Sequence, residues 1–273
     1  MTRDLSWKSH GTVIYATGHS LESPRAVMVL VHGFGEHSRR YLDTVVPFFL
    51  QQGIAVIRYD HFGHGRSGGK RGHCPSYQAL LELVTHAIAL ASGEYAGLPC
   101  FLYGHSLGGN LVLNQQLRSP GGVSALIASS PYLRLAFQPP SWKMLLGKAL
   151  LHLYPSLTLD SGLDPGGISR IPEEVARYQN DPLVHRKVSP MFSFPVIAAG
   201  KWALAHAPDL NVPTLLLHGT ADPIIDYRAT QEFHAANRET TLELFDGGYH
   251  ELHHDRCRED FFGRMLAWLD QQL

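Results

Sequence analysis

Short, unbroken apolar runs punctuate the chain at 26–31, 54–57, 100–103, 125–128 and 214–217, each ending in glycine or a polar turn. Runs this short and without alternation fit strands buried on both faces, the habit of parallel sheets. Between them the period changes. Over 77–91, Leu80, Leu81, Val84, Ile88 and Ala91 recur at spacings of three and four, and 107–117 and 261–269 repeat the pattern, the latter through Phe261, Phe262, Met265 and Leu269. Strand and helix in alternation predict right-handed crossovers and a mostly parallel central sheet with helices on both faces, an α/β fold. Segment 12–17 predicts a further strand, paired antiparallel with 5–9. Segment 241–245, which alternates more, predicts a strand nearer the sheet edge.

One interval breaks the rhythm. From Pro131 to Pro213 the chain runs well beyond the ~30 residues a βαβ unit needs, through many prolines, Trp142, Trp202 and an apolar stretch at 144–154. The reading is a core of residues 1–131 and 208–273 with an inserted helical cap at 132–207; a long decorated crossover is the alternative. Packing between cap helices is the plainer account of 144–154, and an apolar channel or a membrane-facing surface is the sharper one.

Composition narrows the classes. Lys and Arg total 23 against 24 Asp and Glu, so no global basic field points to nucleic acid. Cys74, Cys100 and Cys257 are not spaced as a zinc site. The first 25 residues carry charges without an apolar core, so no signal peptide is expected, and no run reaches the ~20 residues of a membrane span. The expectation is a cytoplasmic globular protein.

Directly after the 100–103 run stands Gly104-His-Ser106-Leu-Gly108-Gly, followed by a helical period. This is Gly-x-Ser-x-Gly in its required strand-to-helix context, where the glycines make room for a strained turn that lifts the serine to a helix N-terminus. A nucleophilic serine needs a base and the base an orienting acid, in the chain order Ser, Asp or Glu, His. Asp222, in the loop after the 214–217 run, supplies the acid, with Asp226 as competitor. His250, in the loop after 241–245, supplies the base. The backbone N–H groups of Leu107 and of Phe34, in the His32-Gly-Phe-Gly35 loop, are the expected oxyanion donors.

Three other patterns compete. Gly63-His-Gly65-Arg-Ser-Gly68 spells the dinucleotide fingerprint, but glycines and Pro75 keep the chain looping where a helix should open. His250-Glu251-x-x-His254 spells the zincin motif, yet Gly247-Gly248 lies just upstream and the serine elbow already accounts for the loop. Arg66, Lys70, Arg71 and His73 form a local basic patch without interleaved aromatics, a solvated loop rather than a nucleic-acid face.

Taken together, His32-Gly-Phe-Gly-Glu-His-Ser-Arg-Arg-Tyr41, Asp60-His-Phe-Gly-His-Gly-Arg-Ser67, the elbow, Asn180-Asp-Pro-Leu183, His218-Gly-Thr-Ala-Asp222 and Tyr249-His-Glu-Leu-His253 resemble the α/β-hydrolase superfamily. More narrowly they resemble its monoacylglycerol lipase and lysophospholipase branch, which is serine aminopeptidase S33-like. The resemblance implies an α/β-hydrolase fold with a cap, the triad Ser106, Asp222 and His250, and no cofactor or metal. It implies a fatty-acid ester substrate, most specifically a monoacylglycerol, with the glycerol head group bound by Glu36, Arg40, His253 and Tyr178; the apolar 144–154 stretch adds the expectation of an acyl channel and of transient membrane contact through the cap. Local ion pairing is the plain alternative for Glu36 and Arg40. A lysophospholipase or general carboxylesterase is the alternative enzyme, and a non-catalytic ligand-binding receptor the alternative class.

Overall fold

The computed structural model describes residues 1–273, the side chain of Lys143 excepted. Strand β1 (Thr2–Asp4) and the hairpin β2 (Trp7–Ser9) and β3 (Thr12–Ile14) lead into β4 (Ala16–His19), β5 (Ala26–Val31), helix α1 (Val45–Gln51) and β6 (Ile54–Tyr59). Then come α2 (Tyr77–Glu94), β7 (Cys100–His105), α3 (Leu107–Arg118) and β8 (Ala125–Ser129). Next are α4 (Ser141–Leu153), β9 (Leu159–Asp160), α5 (Pro172–Asn180), β10 (Lys187–Val188) and α6 (Pro190–Ala205). The chain closes with β11 (Thr214–Gly219), α7 (Tyr227–Ala235), β12 (Thr240–Phe245) and α8 (Arg258–Leu269).

The main sheet runs in the order β1-β4-β6-β5-β7-β8-β11-β12. It is antiparallel where β4 meets β1 and β6, and parallel from β6 onward. The unbroken apolar runs are explained by two cores. Val27, Val29 and Val31 face one of them with Leu80, Val84 and Leu111 of α2 and α3. Met28 and Leu30 face the other, with Phe49 of α1 and Phe261 and Met265 of α8. Successive side chains of a strand point to opposite faces, so a sheet covered on both sides needs apolar residues at every position.

The expected strand at 12–17 is two strands. After the tight turn at His10 and Gly11, both at positive φ, β3 pairs with β2. The chain then leaves that hairpin at Tyr15, and β4 joins the main sheet with Ala16 opposite Tyr59. Helix α1 went unpredicted because Val-Val-Pro-Phe-Phe-Leu-Gln is too short and too uniformly apolar to show a period.

Between β8 and β11 the chain builds α4, the short antiparallel pair of β9 and β10, α5 and α6 over the carboxyl ends of the strands. Helix α6 buries Phe192, Val196, Ala199 and Ala203 and rests on α3, whose Asn114 amide donates to the Ala199 carbonyl at 3.3 Å. Helix α4 differs from the plainer expectation for 144–154. Though it lies against α6, its residues Met144, Leu146, Gly147 and Leu150 line a cavity together with the partly exposed Trp142, while Leu145 and Leu153 are exposed, so it acts as a cover. Two sequence motifs tie this segment to the sheet: His37 Nε2 meets Asp181 Oδ2 at 2.9 Å. Among the described residues no helix is long and apolar enough to cross a membrane.

Candidate active site

Ser106 sits between β7 and α3 with φ 55° and ψ −113°, a strained turn for a residue bearing a side chain. The glycines around it are dictated by backbone. A Cβ on Gly104 would lie 2.4 Å from the Gly108 carbonyl oxygen, and one on Gly108 would meet the Val31 carbonyl oxygen at 1.9 Å. The turn is pinned by the Ser106 N–H donating to the Ser129 carbonyl at 2.9 Å. Helix α3 begins at the next residue, so its positive end faces the serine.

Asp222 lies in the loop after β11, and its side chain is fully buried. Its Oδ1 accepts from the N–H groups of Ile224 and Ile225 at 2.8 and 3.0 Å. Its Oδ2 accepts from His250 Nδ1 at 2.7 Å and from His218 Nε2 at 3.1 Å. Burial alone would raise this carboxyl, but the His250 charge and the two histidine hydrogen bonds outweigh it and hold Asp222 well below the usual range. Asp226, the competitor, is occupied elsewhere: it caps α7 by accepting from the Arg228 N–H at 3.0 Å and binds Arg134 at 2.9 Å.

His250 is held in the loop after β12, its carbonyl accepting from Ser130 Oγ at 2.8 Å. Burial disfavours the imidazolium, yet the charge and hydrogen bond of Asp222, with Glu251 and Glu36 behind them, raise His250 above the ordinary histidine value. Its ring lies 4.8 Å from that of His105. Ser106 and His250 line one cavity of about 690 Å³ together with Phe34 and Leu107. Among the described residues neither the Phe34 nor the Leu107 N–H donates to another protein group. The Phe34 ring packs on Phe192 at 5.2 Å, which joins the loop to the cap.

The expected head-group residues divide. Glu36 and Tyr178 line the cavity; Arg40 and His253 stand behind it and form no part of its wall. Glu36 is buried and accepts from the Gly33 N–H at 2.7 Å, the Tyr41 hydroxyl at 2.6 Å and Arg40 Nε at 3.0 Å. Burial and the nearby Glu251 charge raise its carboxyl, with Arg40 opposing. Arg40 also binds Glu251 and lies 4.7 Å over the Tyr178 ring. His253 is fully buried and stacked on Tyr41 at 4.9 Å.

The zincin pattern is absent as geometry. Residues 252–254 form a single short turn, and His250 is committed to Asp222. Glu251, His253 and His254 do cluster, their ligand atoms within 4.8 Å of one another. Arg40 fills the place a cation would take, bound to Glu251 and 3.4 Å from His254 Nδ1, so this donor set does not suit a metal. The Gly63–Gly68 loop likewise opens no helix; it wraps Asp60, whose Oδ2 accepts from the Arg66 N–H at 2.8 Å. Sequence reasoning gave His218 and Asp255 no role, and Glu251 none outside the rejected zincin pattern. Their only signal was position, as polar residues beside Asp222 and His250.

A family model described as serine aminopeptidase, S33, matches residues 22–257. An uncharacterized abhydrolase domain-containing protein of Dictyostelium discoideum is 34% identical over 92% of this chain, which spans only 27% of that protein. A monoacylglycerol lipase of Mycolicibacterium smegmatis is 31% identical, covering 96% of this chain and 94% of its own. The crystal structure of a monoacylglycerol lipase from Paleococcus ferrophilus superposes with a TM-score of 0.87 at 34% identity, over 95% of this chain and 99% of that one.

Proposed function

The chain belongs to the serine aminopeptidase S33 family and is a carboxylic ester hydrolase of the α/β-hydrolase fold, and from that premise we propose that it cleaves monoacylglycerols to glycerol and free fatty acid. The observation that carries the reading is the two-ended cavity. Around Ser106 and His250 the wall has an apolar stretch through Met144, Leu146, Leu150, Phe192 and Phe194 and a polar group at Glu36, Tyr178 and Glu251, with Asp160, Asp164 and Arg186 also among the lining residues. An ester with a long acyl chain and a small polyol matches both ends.

In this reading Ser106 Oγ attacks the ester carbonyl while His250 Nε2 takes its proton, and Asp222 holds the ring in the required tautomer. The Phe34 and Leu107 N–H groups, with the positive end of α3, receive the oxyanion. The tetrahedral intermediate collapses, the alcohol leaves with the proton from His250, and the acyl group remains on Ser106. Water, deprotonated by His250, then attacks the acyl-enzyme, and the fatty acid departs as Ser106 recovers its proton. Glu36 and Tyr178 accept and donate hydrogen bonds to the polyol, and Arg40 holds Glu36 in place through the 3.0 Å contact. The exposed Leu145 and Leu153 of α4 give the cap an apolar face suited to transient contact with a lipid surface.

The competing lysophospholipase reading is separated by comparing kcat/KM for oleoylglycerol and oleoyl-lysophosphatidylcholine under identical dispersal. A buried carboxylate at the polar end disfavours a phosphodiester, so we expect a preference of about tenfold or more for the glyceride, on the scale of one ill-matched buried charge. A preference for the phospholipid overturns the head-group assignment.

A further inference from the structure

Asp222 carries two histidines on a single oxygen. Its Oδ2 accepts from His250 Nδ1 at 2.7 Å and from His218 Nε2 at 3.1 Å, while Oδ1 is filled by the N–H groups of Ile224 and Ile225. A carboxylate only accepts, so the nitrogen facing it carries the hydrogen in both rings. The other nitrogen of His218, Nδ1, lies 2.7 Å from Thr230 Oγ1 on α7 and accepts the hydroxyl proton. Both His218 and Thr230 are fully buried. His218 therefore has one tautomer, one orientation and no free position, and it takes no part in the cavity wall.

We infer that His218 is a positioning residue: held by Thr230, it clamps Asp222 Oδ2 so that the carboxylate keeps a fixed lobe toward His250 Nδ1. This rests on the reading of Ser106, Asp222 and His250 as the reacting three. Without His218 the carboxylate retains its two backbone donors on Oδ1, but Oδ2 is fixed by His250 alone. The part that must stay still during proton transfer is then held only by the part that changes charge. Water drawn into the vacated space would compete for the same lone pairs.

The test uses side-chain reach. A glutamine amide nitrogen extends as far along the chain as His Nε2 and restores the donor to Asp222. An asparagine amide reaches only as far as Nδ1 and cannot. Hydrolysis of 4-nitrophenyl butyrate is measured for the wild type, His218→Leu, His218→Asn, His218→Gln and Ser106→Ala. Loss of a hydrogen bond to a buried charge predicts a kcat lower by about tenfold or more in the Leu and Asn variants, with KM within about twofold, and most of that loss recovered by Gln. A pH profile supplies the readout that a merely structural role would not move. The groups facing His250 are Asp222, His218 behind it, His105 from the end of β7, and Glu251 and Glu36. Removing a hydrogen-bond donor from Asp222 leaves more carboxylate charge on His250, so the acid limb of kcat/KM moves to higher pH in the Leu variant and returns with Gln.

Equal kcat in the Asn and Gln variants, or an unmoved acid limb in both, overturns the assignment; should the Leu variant not fold, the Asn and Gln pair decides. Activity surviving in Ser106→Ala, or none in the wild type, overturns the reading of the whole site. A dead Ser106→Ala with an indifferent His218 series removes His218 alone.

Discussion

Asp255, fully buried beneath the loop that carries His250, is paired with Arg170 of the segment between β8 and β11 at 3.0 Å. The same carboxylate accepts from the Tyr249 N–H at 2.8 Å and from the Arg170 N–H at 3.1 Å. Two further bonds run alongside: the Glu251 N–H to the Ile168 carbonyl at 2.8 Å, and Ser169 Oγ to the His254 carbonyl at 2.7 Å. The loop bearing His250 is thus braced by the base of the cap, so changes on the cap side reach the site through backbone hydrogen bonds.

Arg170→Ala leaves Asp255 buried with its backbone donors but without its counter-charge. The arginine is a quarter exposed, so the cost is discounted from that of a fully buried pair to about 1–3 kcal/mol. Urea unfolding should show a lower midpoint with unchanged slope, and kcat should fall with it as the His250 loop loosens. An unchanged midpoint contradicts the brace.

The pH dependence of turnover follows from His250. In the proposed mechanism His250 is the base and must be neutral, and Asp222 raises the ring above the ordinary histidine value of 6.5. Activity should therefore rise as pH increases through a value above 6.5 and be lost below it, while Asp222, held low, stays ionised throughout. A kcat/KM profile with its acid limb below 6.5 contradicts this.

Stability should respond to acid through other histidines. Burial pushes His61 down to about 4, and His32 and His64 well below 6.5. Their folded values lie beneath their unfolded ones, so between about pH 6.5 and 4 the unfolded chain binds more protons. Stability is then lost as pH falls through that window. Each such group contributes roughly 1 kcal/mol per pH unit within it. His250, raised, works in the opposite sense, its contribution being complete below 6.5 and lost at higher pH. The buried set is larger, so Tm should drop from pH 7 to pH 5; a flat or rising Tm contradicts the sum.

How far the molecule can be read from sequence follows from what each feature leaves along the chain. The five central strands are visible because burial on both faces leaves an unbroken apolar run in each, with Arg58, His105, Ser129, Thr214 and His218 only toward the strand ends, and α2, α3 and α8 because one side of each is apolar. Gly104 and Gly108 mark the elbow because backbone contacts forbid a side chain there. The division between β3 and β4 is hidden: Thr-Val-Ile-Tyr-Ala-Thr is one β-prone run, and only the approach of β6 decides that Ala16 changes sheets. Helix α4 is legible as apolar but not as a cover, since the pattern cannot say whether an apolar side meets protein, cavity or solvent. Arg40 and His253 show why position in a motif is weaker than geometry. Both lie in the segments that carry the family resemblance, yet they stand one layer behind the cavity, where Arg40 holds Glu36. His218 and Asp255 act through partners distant in sequence, Thr230 and Arg170, and nothing local announces such pairs.

The most direct test is fatty-acid release from oleoylglycerol by the wild type and by Ser106→Ala, each at matched folded concentration. The account predicts rapid release by the wild type and a loss of about a thousandfold or more in the variant, on the scale of removing a triad nucleophile. Comparable release by Ser106→Ala would contradict the serine mechanism, and no release by a folded wild type would contradict the glyceride assignment.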